Sequence, residues 1–235
     1  MDTGLSYTRR RGQLETYFDR TAADAWTRLT SDAPVSGIRA TVRAGRDAMR
    51  AHLLERLPRD LTGAKLLDAG CGTGSLSIEA ARRGAEVIAI DISETLVAVA
   101  RERAEAEGVG GIEFLVGDML EPGRGPFDFV VAMDSLIHYR DEDMVEMVHR
   151  LCGQLGPQGG QVVFTFAPRT PLLTLMHAVG RLFPRSDRAP AIEPISEQRL
   201  RHRLETRGAD QGWVLGASHF VKSGFYLSCA LEVRR

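Results

Sequence analysis

Asp68-Ala69-Gly70-Cys71-Gly72-Thr73-Gly74 is the stretch on which the fold turns. It follows a short apolar run, Ala64-Lys65-Leu66-Leu67, and precedes a helix-forming segment that begins near Ser75. Glycines between a strand and a helix let the backbone turn tightly and admit a ligand where a Cβ would block it. Outward from this turn the alternation continues. Val87–Ile90, Ile112–Val116, Phe127–Ala132 and Gln161–Phe166 are four more runs of strand length, β-branched or aromatic as buried parallel strands are. Ser75–Arg83, Ser93–Glu107 and Asp143–Leu155 between them have helical character, with Ser93 as N-cap and Gly108 as stop. Such alternation predicts βαβ units and a doubly wound α/β sheet. Trp213–Val221 and Phe225–Val233, parted by Lys222-Ser223-Gly224, predict a closing antiparallel hairpin.

Two segments lie outside this core. Ile38, Val42, Met49, Leu53 and Leu57 recur at helical spacing and predict an amphipathic helix packed on the sheet. Arg39, Arg43, Arg46 and Arg50 make a basic stripe on the same helix. Most such stripes are solvated; this one could instead meet an anionic membrane or a partner. Pro171 to Phe183 reads as an apolar helix, able to cover a flat ligand or simply to pack on the sheet, before Pro184, Pro190 and Pro194.

Composition narrows the function classes. The chain has 235 residues, 43% of them hydrophobic, which suits one domain with elaborations. A net charge of -1 gives no bulk attraction to nucleic acid. Cys71, Cys152 and Cys229 are scattered, so neither a disulfide framework nor a protein-bound metal is expected, and a cytoplasmic setting fits. The polar segment Met1 to Leu14 is not expected to act as a secretory signal, and no apolar run is long enough to span a bilayer.

A lone Gly-x-Gly is weak evidence, but acids stand at three strand ends. Asp91 closes the second strand, where a carboxylate can accept both hydroxyls of a ribose. Gly117-Asp118-Met119 closes the third, where Asp118 can accept from an adenine amino group while Met119 lies against the ring. Asp68 precedes the glycines, near where a cationic amino group would lie. A dinucleotide fingerprint needs glycine at the sixth position, here Ser75, and its pyrophosphate gains nothing from an added acid. S-adenosylmethionine has a sulfonium, an ammonium and no phosphate, so acids suit it. Gly70, Cys71, Gly72, Ile92 and Met133 complete the expected cofactor contacts.

These motifs resemble the first three of the class I methyltransferases. The resemblance implies a Rossmann-like fold with a mixed seven-stranded sheet, a C-terminal antiparallel hairpin, an N-terminal helical arm and a helical insert before the hairpin. It divides the chain into an arm and helix over residues 1–58, capping the cofactor site, and a methyltransferase domain over 59–235. The substrate-covering insert falls at about 168–195.

Tyr17-Phe18-Asp19-Arg20-Thr21 with Trp26, Gly74-Ser75-Leu76-Ser77-Ile78, Leu136-Ile137-His138-Tyr139, Phe166-Ala167-Pro168-Arg169-Thr170-Pro171 and Phe225-Tyr226-Leu227-Ser228 are more particular. They are similar to strings of the magnesium protoporphyrin IX O-methyltransferases of chlorophyll and bacteriochlorophyll synthesis. Gly224 departs from the basic residue expected before Phe-Tyr. The resemblance implies esterification of one porphyrin propionate, with S-adenosylhomocysteine as by-product and magnesium carried by the substrate. It also implies magnesium chelatase's porphyrin-binding subunit as partner and at most peripheral contact with the photosynthetic membrane.

A propionate is ionised at pH 7 and needs no general base. Tyr17 and His138 are therefore expected to orient it as neutral donors, Tyr17 also touching the cofactor. Trp26, Tyr139 and above all Arg169, holding the second propionate, are the expected substrate contacts. Two other readings stay open: a methyltransferase for another flat molecule such as a quinone precursor, and a silent S-adenosylmethionine-binding module.

Overall fold

The computed structural model describes residues 3–19, 23–30, 34–35, 37–170 and 192–235. Helices α1 (Thr3–Tyr17), α2 (Ala23–Leu29) and α3 (Gly37–Glu55) precede the sheet. Then β1 (Lys65–Ala69), α4 (Ser75–Arg82), β2 (Glu86–Asp91), α5 (Glu94–Ala106) and β3 (Ile112–Val116) form the first half. The second half is β4 (Phe129–Ala132), α6 (Asp141–Cys152), β5 (Gln161–Phe166), α7 (Glu197–Gly208), β6 (Val214–Leu215), β7 (His219–Ser223) and β8 (Tyr226–Arg234).

The sheet runs β3-β2-β1-β4-β5-β8-β6, with β7 also on β8. The first five strands are parallel and β8 is antiparallel to β5. Every side chain of β1 after Lys65, and all of β5, is buried, as strands covered on both faces must be. Strand order reverses between β1 and β4, so a crevice opens beyond their carboxyl ends. The two apolar layers flank the sheet: one around Leu67, Ile88 and Phe164, the other around Leu66, Val87 and Val131.

Local expectations meet three corrections. The run Trp213–Val221 is two short strands, both paired with β8, because Gly216-Ala217-Ser218 interrupts it. The expected seven-stranded sheet therefore has its penultimate strand broken. In α3, Met49, Leu53 and Leu54 are buried, each worth about 1.5–3 kcal/mol of apolar transfer, but Ile38 is 60% exposed. Helix α7 was not expected: of its twelve residues only Leu200, Leu204 and Gly208 are buried. The expected Pro171–Phe183 helix lies outside the described residues. Ser93 caps α5 as expected, its side chain accepting from the Leu96 N–H.

One contact decides where α3 sits. Gly45 packs flat against Tyr226, and a Cβ there would come within 2.5 Å of the ring. Arg46, the next residue, consequently comes close to the carboxyl end of β4.

Candidate active site

At the switch point the glycine turn is drawn back over β2. The Gly70 and Cys71 N–H groups donate to the Ile90 carbonyl at 2.8 and 3.0 Å, and the Gly72 N–H donates to Asp91 Oδ2 at 2.9 Å. Gly70, Gly72 and Gly74 all take positive φ. Gly70 also faces Ser135, whose hydroxyl donates to the Ala69 carbonyl at 2.8 Å. A Cβ on Gly70 would lie 2.4 Å from that of Ser135. Gly70→Ala is therefore expected to cost about 2–4 kcal/mol, from left-handed strain and overpacking together, read as a lower denaturant midpoint at unchanged slope.

The cleft above this turn is lined by Asp68, Gly70, Cys71, Gly72, Asp91, Ile92, Met119, Met133, His138, Tyr139 and Trp26, all expected there. Asp68 is buried and accepts from Ser77 Oγ at 2.5 Å. Burial pushes its carboxyl up to about 7 despite that bond, with Asp91 adding repulsion. Burial raises Asp91 too, against donation from the Ser93 and Gly72 N–H groups. Two carboxyls that burial raises beside an open cleft fit a ligand that brings positive charge. The positive-φ glycines supply the close backbone approach that a nucleoside ligand requires, so the residues fit S-adenosylmethionine.

Three expected residues stand elsewhere. Tyr17, at the end of α1, does not line the cleft; Phe18 does, set edge-on to Trp26 and to the His138 ring at 6.0 Å. Asp118 is covered by the arm: Tyr7 Oη donates to it at 2.5 Å and Arg11 NH1 at 2.7 Å. Arg169 is exposed in a separate groove with Arg140, Asp141 and Glu193. Its backbone N–H donates to the Ile195 carbonyl at 2.9 Å, and its side chain lines that groove and not the cleft.

His138 ends a short 3-10 turn, Leu136–His138, and is buried. Its carbonyl accepts from Arg10 Nε at 2.9 Å, so the arm grips the turn that presents the imidazole. Tyr139 is buried and stacks on Tyr7 of the arm at 5.3 Å. Asp19 accepts from Ser93 Oγ at 2.6 Å, and Thr30 is bonded to Thr73 at 2.9 Å, so the arm also touches the Asp91 and glycine loops.

Sequence reasoning missed Arg46 and Asp134. The basic stripe was visible, but its direction was not: Arg43, Arg46 and Arg50 all face the cleft. Asp134 is buried, holds a non-glycine φ of 53°, and binds Arg46 NH1 at 2.6 Å. Among the described residues no cluster of His, Cys, Asp or Glu could hold a metal.

The family model described as the magnesium-protoporphyrin IX methyltransferase C-terminus matches residues 132–235, and a methyltransferase-domain model matches 66–159. The magnesium-protoporphyrin O-methyltransferase of Rhodobacter capsulatus is 47% identical over 97% of this chain and 98% of that protein. Its counterpart from Synechocystis is 32% identical over 93% and 94%. A crystal structure of the Synechocystis magnesium protoporphyrin IX methyltransferase with bound SAH superposes with a TM-score of 0.79, at 31% identity, over 95% of this chain and 99% of that one.

Proposed function

Because this chain belongs to the magnesium protoporphyrin O-methyltransferases, we infer that its cleft brings one propionate of magnesium protoporphyrin IX against the methyl group of S-adenosylmethionine. The chain is an S-adenosylmethionine-dependent methyltransferase of chlorophyll and bacteriochlorophyll synthesis. The acceptor's two propionates are its only oxygen nucleophiles, so an O-methyl product is an ester.

Bound beside the glycine turn, S-adenosylmethionine supplies an electrophilic methyl on a sulfonium. The protein's part is to orient and to dry. Asp68 faces the ammonium end and Asp91 the ribose. His138 donates to the incoming carboxylate from a turn whose position the arm fixes. Phe18 and Trp26 close the cleft over it, and Met119 and Met133 give it apolar walls. Attraction between carboxylate and sulfonium is lost as the bond forms, so a dry site favours the transition state over the separated ions. Placement in line at about 3 Å supplies the remaining advantage. Tyr17 is the second candidate donor; the final turn of α1 would have to rotate to bring it where Phe18 now stands.

One observation carries this reading: a buried imidazole, His138, stands in the same cleft as the acid-lined glycine turn, under an aromatic arm. The test is transfer of label from S-adenosylmethionine to a panel of acceptors. Magnesium protoporphyrin IX is expected to be labelled and its dimethyl ester not. Preferential labelling of a quinone precursor would overturn the reading.

Substrate delivery by the porphyrin-binding subunit of magnesium chelatase is part of the proposal. No described helix is long and apolar enough to cross a membrane.

A further inference from the structure

The three arginines that α3 turns toward the cleft are used differently. Arg43 holds the end of α2, donating to the Leu29 carbonyl at 2.9 Å and the Arg28 carbonyl at 2.6 Å. Arg50 pairs with Asp47 of its own helix at 2.9 Å. Arg46 is the enclosed one, with a side chain 16% exposed. Its guanidinium stacks on Trp26, 4.6 Å from the ring centroid, and NH1 donates to Asp134 at 2.6 Å. Asp134 is fixed in turn by the Tyr226 hydroxyl at 3.1 Å and Thr165 at 3.2 Å.

A guanidinium has five N–H donors in a plane. Among the described residues, Arg46 gives one hydrogen bond, to Asp134. A rigidly held cation in a cleft wall, with part of its fork unspent, is built to recognise a carboxylate. Asp134 and Trp26 fix where that cation points.

Resting on the acceptor assigned above, we propose that Arg46 holds the second, non-reacting propionate and so makes the enzyme prefer the diacid to its own monoester product. The acceptor brings two carboxylates. One must lie at the methyl group, where a bare cation would stabilise the reactant more than the transition state. The other is free to meet Arg46. After one transfer a single carboxylate remains. Presenting it for methylation would place an uncharged ester at Arg46, leaving desolvated donors unmatched, and a site built for hydrogen bonding rejects such a partner strongly. Asp134 is a positioning residue here: it aims the guanidinium and cancels part of its field at the reacting oxygen.

The test compares magnesium protoporphyrin IX with its monomethyl ester, by kcat/KM with labelled S-adenosylmethionine and by fluorescence titration of porphyrin binding. The wild type is expected to favour the diacid roughly 10- to 100-fold, the loss of one charge-assisted hydrogen bond. In Arg46→Gln the ratio should fall toward one, mainly through KM and Kd, and dimethyl ester should accumulate. Should that variant fail to fold by circular dichroism, Arg46→Met, which keeps the packing on Trp26 without the charge, decides in its place. A wild type that turns over both acceptors equally, or a variant that keeps the wild-type ratio, overturns the proposal. A wild type inert towards the diacid sinks the acceptor assignment and this proposal with it.

Discussion

His138→Ala is expected to lower turnover about 10²- to 10³-fold, the usual consequence of removing one preorganised donor, while affinity for S-adenosylmethionine stays within about twofold. The ring sits in a turn held by Arg10 and against Phe18, so its orientation is set before the acceptor arrives. The partner proposed for it is a propionate, a carboxylate already ionised at pH 7, with no proton to remove. His138→Gln and His138→Asn keep a neutral donor that cannot take up a proton, and should retain more activity than Ala. Turnover at saturating acceptor should show no acidic limb near pH 6–7, since imidazole and imidazolium both donate. If Gln and Asn are as inactive as Ala, and the wild type shows a limb they lack, the imidazole is a base or an axial ligand of magnesium. Metal-free protoporphyrin separates those two roles, because only the second vanishes with the metal.

The second large effect is a dependence of cofactor binding on pH. Burial, with Asp91 nearby, raises Asp68 to about 7 in the free protein, so below that pH the site holds a proton that an unfolded chain would release. Between about pH 4 and 7 the folded state therefore binds more protons than the unfolded one. Stability of the free protein should fall as pH rises through this window. A ligand that brings an ammonium expels the proton. Affinity for S-adenosylhomocysteine should then climb by up to about tenfold per unit from pH 5 to 7 and level off above. Asp91, also raised, acts in the same direction. Calorimetric titration at pH 5.5 and 7.5 reads the slope, and Asp68→Asn should flatten most of it. Equal wild-type affinity at both pH values would show that the carboxyl is ionised before the ligand arrives.

How far the sequence foretold these sites depended on the kind of signal. Ile112–Val116 and Gln161–Phe166 match their strands residue for residue, because each is a short run rich in β-branched and aromatic residues that glycines bracket or precede; only the second is buried throughout, the first being half-exposed with Glu113 turned to solvent. Helix α7 escaped because Leu200 and Leu204 are its only large buried side chains, too few to set a period. Acids at strand ends were legible because topology puts those ends together. Periodicity grouped Arg39, Arg43, Arg46 and Arg50, yet a period names a shared face without saying what the face meets. Packing decides that, and here it is the approach of Gly45 to Tyr226. Tyr17 and Phe18 show the finest limit: adjacent aromatics on one turn differ by about 100° in direction, and the end of α1 selects the phenyl ring.

Position 134 has few evolutionary exits. Its backbone, at a φ of 53°, suits glycine, asparagine or aspartate, while other residues there are strained by about 1–2 kcal/mol. Its place opposite Arg46 asks for a negative charge. One amino acid satisfies both demands. Single-nucleotide changes from an aspartate codon reach asparagine or glycine, which surrender the charge, glutamate, which keeps it on a backbone that resists the turn, and alanine, valine, histidine or tyrosine, which lose the negative charge and strain the backbone as well. Drift at this codon is therefore confined, and lineages that acquire a different acceptor should show the change at residues 46 and 134 together.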